Sequence, residues 1–152
     1  MSERLSIRTA APQDIGALER LFAEWGHPLP PERIRQQVDA WSAEPAGVLL
    51  VAVSEASEVL GMAAVTASPV LYAPTRHAQL VALVVGAGSR RRGVGRLLLA
   101  EVRVRAEAWG CSRLEVGSSR ARDAAHAFYR SEGFDDSCAT HARYVQQLPH
   151  RG

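Results

Sequence analysis

Residues 80–95 constrain this chain more than any other segment, because three backbone regimes follow one another there without a break. Leu80-Val81-Ala82-Leu83-Val84-Val85 is the most β-like run of the sequence, and Gly86-Ala87-Gly88 ends it. From Val94 the apolar period turns helical, with Val94, Leu98, Val102 and Ala106 four apart. Between the two lies Arg90-Arg91-Arg92-Gly93, and Gly95 and Arg96 follow inside the helix start. The first turn of a helix carries N–H groups without internal partners and a partial positive charge, so strand, glycine turn and helix together form a phosphate-binding arrangement. Gly93 and Gly95 let an anion approach the main chain closely, and Arg90, Arg91, Arg92 and Arg96 add charge and forked donors. Two common phosphate loops are excluded. Val94 stands where a Walker loop needs lysine, and Arg91 occupies the third glycine position of a dinucleotide fingerprint starting at Gly86.

The rest of the chain reads as strands and helices around this turn. A short first strand lies near Ile7. A helix then starts at Pro12, with Asp14 near its positive end and an apolar stripe of Ile15, Leu18, Leu21, Phe22 and Trp25. Gly26 to Pro31 breaks it, and Ile34, Val38 and Trp41 mark a second helix. Val48 to Val53 is a strand covered on both faces, Ser54 to Glu58 a hairpin turn, and Val59 to about Thr66 the next strand, with Gly61 at a bulge. An irregular loop, Pro69 to Thr75, precedes the central strand. Gly110 stops the long helix, Leu114 to Val116 makes a strand, and Ser118 or Ser119 caps a helix carrying Ala121, Ala124, Ala125 and Phe128. Phe134 to Cys138 and Tyr144 to Leu148 are expected as closing strands. The order β-α-α-β-β-β-α-β-α-β-β predicts an α+β fold, a mixed sheet flanked by about four helices. One domain is expected over residues 1–148, with 149–152 a tail.

Composition removes several function classes. All 18 basic residues are arginine, so lysine Schiff-base chemistry is excluded. A net charge of +2, without a long basic groove interleaved with aromatics, argues against nucleic acid. Cys111 and Cys138 are too few for a disulfide framework or a zinc site, and no metal is expected. No apolar run approaches the ~20 residues that span a bilayer, and from the polar start Met1-Ser2-Glu3-Arg4 no secretory signal is expected. The expected location is the cytoplasm.

Arg90-Arg91-Arg92-Gly93-Val94-Gly95 resembles the signature of the GCN5-related N-acetyltransferases: arginine or glutamine, two free positions, glycine, one free position, then glycine or alanine. Some thirty residues on, Ala125-His126-Ala127-Phe128-Tyr129-Arg130-Ser131-Glu132-Gly133-Phe134 is similar to that family's second hallmark, an alanine, a Phe-Tyr pair and a terminating Gly-Phe. The resemblance covers nearly the whole chain. It implies a GNAT-like acyl-CoA N-acyltransferase fold in which the fourth strand, about Gln79 to Val85, splays from the fifth, about Arg113 to Gly117. Acetyl-CoA would lie in the gap. Its pantetheine arm would pair with the main chain of Leu83, Val84 and Val85, and its pyrophosphate would sit on the N–H groups between Arg91 and Arg96. The partners are then acetyl-CoA and an amine, with a homodimer left open.

The resemblance also implies direct acetyl transfer from the thioester to an amine, with a backbone N–H near Val85 as oxyanion donor and Tyr129 as general acid at the sulfur. Tyr129 as a packing residue is the competing expectation. No base is assigned. The fourth strand, Gln79-Leu80-Val81-Ala82-Leu83, lacks the glutamate many relatives place there, and Glu24, His27, His77 and Glu115 are each more often surface residues than bases. Glu24, Trp25 and His27 are weak acceptor-site candidates, Trp25 also continuing the packing stripe. His126 could contact CoA or be a plain helix residue. Arg122 stands where relatives often have asparagine, so no CoA contact is carried onto it. Three functions remain open: acetylation of a small-molecule primary amine, acetylation of a protein N-terminus or lysine, and a non-catalytic module that senses acyl-CoA or docks nucleic acid through its arginines.

Overall fold

The computed structural model describes residues 4–117, 123–137, 142 and 144–150. The chain divides into two compact units, Met1–Gly117 and Ser118–Gly152. In the first unit the order is β1 (Ser6–Thr9), a 3₁₀ turn (Pro12–Asp14), α1 (Ile15–Trp25), α2 (Pro31–Ser42), β2 (Gly47–Val53), β3 (Val59–Pro69), β4 (Arg76–Val85), a second 3₁₀ turn (Ala87–Ser89), α3 (Val94–Ala108) and β5 (Cys111–Val116). The second unit contributes α4 (Asp123–Ser131).

The five strands form one mixed sheet in the order β1-β2-β3-β4-β5, antiparallel except for the parallel β4–β5 pair. The parallel pair requires a crossover, and α3 supplies it. Strands β2 and β3 are buried on both faces, which explains their nearly continuous apolar sequence. Leu49, Val51, Val53, Met62 and Ala64 pack with Leu18, Leu21 and Phe22 of α1 and Ile34 and Val38 of α2. The alternate residues Leu50, Ala52, Ala63 and Val65 are also buried, and the pleat turns them to the opposite face, where α3 packs on the sheet. The four α3 positions picked out by helical spacing, Val94, Leu98, Val102 and Ala106, are all buried. A fully buried leucine such as Leu98 contributes about 2 kcal/mol through apolar area removed from water.

Several boundaries differ from the sequence expectation. The first helix opens with a tight 3₁₀ turn at Pro12–Asp14 before α-geometry begins at Ile15. Strand β3 runs on to Pro69 and β4 starts at Arg76, because hairpin pairing extends to Pro69↔Arg76. The two closing strands are not formed among the described residues: 134–136 and 144–148 are irregular, and Cys138 lies outside them. Tyr144, Val145 and Leu148 are largely exposed, with no ladder partner among the described residues to convert apolar alternation into a strand. Ser118, Ser119, Ala121 and Arg122 also lie outside the described residues.

Candidate functional site

The central strand β4 has two halves with different neighbours. Its pairing with β3 runs the full length, from Pro69↔Arg76 to Gly61↔Val85. Its pairing with β5 stops at Leu80↔Val116. Between them Val81 is an extra residue, since Val65 faces Leu80 while Ala64 faces Ala82. Such a bulge disrupts the ladder and increases twist, which fits the end of β4–β5 pairing here. Val81–Val85 therefore has a strand on one edge only among the described residues. The Gly86 N–H donates to the Leu60 carbonyl at 2.8 Å, so it points toward β3. Direction alternates along a strand, so Val84 turns its polar main-chain groups to β3, while Leu83 and Val85 turn theirs to the open edge. An open edge of this kind accepts an extended ligand as an added strand.

The turn after β4 exposes further unused donors. Ser89 is buried and its N–H donates to the Gly86 carbonyl, fixing the start of the turn. Arg90, Arg91 and Arg92 are exposed, and both Arg91 (φ 65°) and Gly93 (φ 77°) are left-handed. Glycine adopts that geometry without strain, whereas arginine there costs on the order of 1 kcal/mol. Gly93 sits directly before α3, and no side chain caps the helix. The first helical bond is Leu97 N–H to the Gly93 carbonyl at 3.1 Å, so the amides of Gly93, Val94 and Gly95 have no partner within the helix. Gly61 sets where these amides lie. A Cβ on it would meet the Val84 carbonyl at 2.8 Å and Val94 Cγ1 at 3.0 Å, so only glycine lets the first turn of α3 rest on the sheet. The bulge expected at Gly61 falls on the adjacent Leu60, because Ala52 pairs with Gly61 and Val53 with Val59.

A cleft of about 810 Å³ lies between α1, the β2–β3 turn and the turn after β4, lined among others by Arg8, Asp14, Arg20, Glu24, Glu58 and Arg92. On its wall Arg8 grips Asp14 with two bonds of 2.7 and 2.8 Å, and the Ala11 N–H adds a third at 2.8 Å. Burial alone would raise the Asp14 pKa, but the Arg8 fork and the Ala11 N–H outweigh it and hold the carboxyl below its ordinary value. The hydrogen bonds that Arg8 donates to Asp14, with the carboxylate's charge, raise the Arg8 pKa in turn. The helix-dipole position of Asp14 in the sequence gives no sign of this pair, which joins a strand to a turn six residues on. Glu24 Oε2 accepts a hydrogen bond from the Ala87 N–H at 3.2 Å. Trp25 packs against the core and makes edge contacts with Phe22 and His27, at 5.7 and 4.5 Å between centroids. His27 is exposed.

The remaining candidates are dispersed. His77 lies opposite Arg113 and Gln79 opposite Glu115 across the β4–β5 pair, and Glu115 forms an ion pair with Arg113 at 3.0 Å. Burial raises the Cys111 thiol pKa against the opposing charge of Arg76, which makes it a poor nucleophile. No metal-binding group of three His, Cys, Asp or Glu occurs among the described residues. In the second unit, the Tyr129 ring stands edge-on between Phe128 and Phe134, each 5.6 Å away between centroids. Gly133 is left-handed (φ 90°), and the Phe134 N–H returns to the Tyr129 carbonyl at 3.0 Å, closing α4. His126 is half-buried in the same helix.

A mixed sheet whose central strand has one half-open edge is followed at once by a glycine turn whose amides have no partner within the helix. The model of the acetyltransferase (GNAT) family matches residues 15–134, and the chain belongs to that family. No curated protein matches the sequence. Solved structures match the fold. A transcriptional regulator from Bacillus halodurans is 24% identical, with 95% of this chain and 100% of that one covered and a TM-score of 0.81. A GNAT family acetyltransferase from Staphylococcus aureus is 17% identical over 97% and 100%, with a TM-score of 0.77. An aminoglycoside antibiotic 6′-N-acetyltransferase from Acinetobacter baumannii is 18% identical over 98% and 100%, also with a TM-score of 0.77.

Proposed function

We propose that the protein is an N-acetyltransferase that moves the acetyl group of acetyl-CoA directly to the primary amine of a small molecule, with residues 1–148 acting as one domain. The observation that carries this is the succession, within one stretch of chain, of the open edge at Leu83 and Val85 and the unpartnered amides at Gly93, Val94 and Gly95. An amide-rich pantetheine arm suits the first and a pyrophosphate the second, with Arg90, Arg91, Arg92 and Arg96 adding charge. The family-model match supports acetyl as the transferred group. Fold neighbours named as aminoglycoside acetyltransferases favour a small-molecule amine. The location we propose for the reaction is the cytoplasm. No helix among the described residues is long and apolar enough to cross a membrane.

The neutral amine attacks the thioester carbonyl, an N–C bond forms, and the C–S bond breaks as the oxyanion collapses. The Val85 N–H faces the open edge and is the donor assigned to that oxyanion. Tyr129 is assigned the proton that the leaving thiolate takes up; the proton lost from nitrogen passes to solvent or a water chain, which in turn reprotonates the Tyr129 phenolate. Tyr129→Phe should lower kcat about 10- to 1000-fold with the melting temperature nearly unchanged. Unaltered turnover removes Tyr129 from the chemistry.

Thermal unfolding with and without acetyl-CoA tests the binding half of the proposal. Ligand at 100 times its Kd should add about 2.7 kcal/mol of stability, and Gly93→Glu should abolish that gain. Release of free thiol on mixing with a panel of amines then tests transfer. Absence of any acetyl-CoA effect on the folded wild type overturns the reading.

A further inference from the structure

We infer that Glu24 is a positioning residue that ties the phosphate turn to the last turn of α1, so that occupancy of the turn is felt in the α1–α2 loop. The inference rests on the proposed acetyl-CoA site and goes beyond it. Its basis is the hydrogen bond from the Ala87 N–H to Glu24 Oε2 at 3.2 Å, between residues 63 apart in sequence. The neighbouring Gly86 is bonded to Leu60 of β3, and a Cβ on it would lie 3.2 Å from the Leu60 carbonyl and 3.7 Å from Leu21 of α1. The entrance to the turn is thus fixed on one side to the sheet and on the other to α1, with Glu24 its polar link to the helix.

From Glu24 the connection continues through short, stiff steps. Trp25 is anchored against the core and touches the His27 ring. Gly26 takes the left-handed conformation (φ 96°), its N–H donating to Ala23 at 3.1 Å and the His27 N–H to Phe22 at 3.0 Å. These two bonds close α1 and set the direction of residues 26–30, where Pro28 and Pro30 further restrict the backbone. A pyrophosphate on the Gly93–Gly95 amides would restrict the whole turn from Ala87 onward. Through Glu24 that restriction stabilises the closing turn of α1. Coupling of this kind is reciprocal, so anything that orders the loop, an amine acceptor included, tightens the hold on the cofactor by the same factor. Glu24, already engaged with Ala87, then acts through main-chain geometry and not as a base.

Residue-resolved amide hydrogen exchange, with coenzyme A as the probe, tests this. In the wild type, saturating coenzyme A should slow exchange at Gly93, Val94 and Gly95 and also, by a factor of about five, at Gly26 and His27. In Glu24→Ala the slowing at the phosphate turn should persist while that at Gly26 and His27 disappears. Glu24→Gln keeps an acceptor oxygen and should restore it. If coenzyme A protects the turn but leaves Gly26 and His27 unchanged in the wild type, or protects them equally in Glu24→Ala, the inference fails and the proposed function stands. If it protects neither region, the function falls and the inference with it.

Discussion

Two polar groups on the first unit differ in whether their hydrogen-bonding capacity is used up. At the Arg8–Asp14 pair a carboxylate only 3% exposed receives two guanidinium bonds and one backbone bond. At the start of α3 the amides of Gly93, Val94 and Gly95 have no helical partner and no side-chain cap. Satisfied groups of the first kind hold a fold together, because removing one partner leaves a buried charge unpaired. Unsatisfied donors of the second kind add little to stability and are free to bind an anion. Stability and binding should therefore respond separately to changes at the two places.

The largest separation should come from Gly93→Glu. A Cβ there meets no protein atom within 4 Å, so the fold should tolerate the change at the cost of a left-handed non-glycine, about 1 kcal/mol. A carboxylate at the proposed pyrophosphate position should nonetheless weaken coenzyme A binding by two orders of magnitude or more, measured by calorimetry; equal affinity would erase the contrast. The converse is Asp14→Ala, which should cost about 2 kcal/mol in denaturant unfolding through lost charge-assisted bonds. Its coenzyme A affinity should stay within a factor of about two of wild type, because the changed residue lies outside the proposed ligand contacts.

The pH dependence sharpens the same point. The pKa of Asp14 is lower in the folded than in the unfolded chain, so its stabilisation is fully present above the ordinary value of 3.8 and lost as pH falls through the depressed one. The stability gap between wild type and Asp14→Asn should hold from neutral pH to about 5 and close in more acid solution; a gap that widens there contradicts the assigned pair. The smallest effect is expected at Arg91→Gly. Relief of the left-handed arginine (φ 65°) offsets the entropy glycine adds to the unfolded chain, leaving stability within about 1 kcal/mol. Loss of one cation should weaken coenzyme A binding severalfold, more so at low salt.

What was legible in the sequence was local. The α1 stripe, the β2 run, the turn and the four-residue spacing of α3 are each set by neighbours in sequence, and the structure buries Leu18, Phe22, Val94, Leu98 and Val102 as that spacing requires. What was not legible depends on pairing at a distance. The Val81 bulge and the end of β4–β5 pairing follow from register against two other strands. Glu24 meets Ala87 only because α1 crosses the sheet to the end of β4. Gly61 has the composition of a bulge residue, yet it is fixed by clearance against Val84 and Val94, which no reading of one strand supplies. The expected closing strands are not formed among the described residues for the same reason, since alternation in residues 144–148 names no partner.

Backbone amide chemical shifts followed while coenzyme A is added to the folded protein would address the binding site most directly. The largest changes should fall together, with one dissociation constant, on Leu83, Val85, Gly93, Val94 and Gly95, with Val84 less affected because its N–H is engaged with β3. Saturation that leaves those five amides unmoved, or no binding at all, contradicts the site.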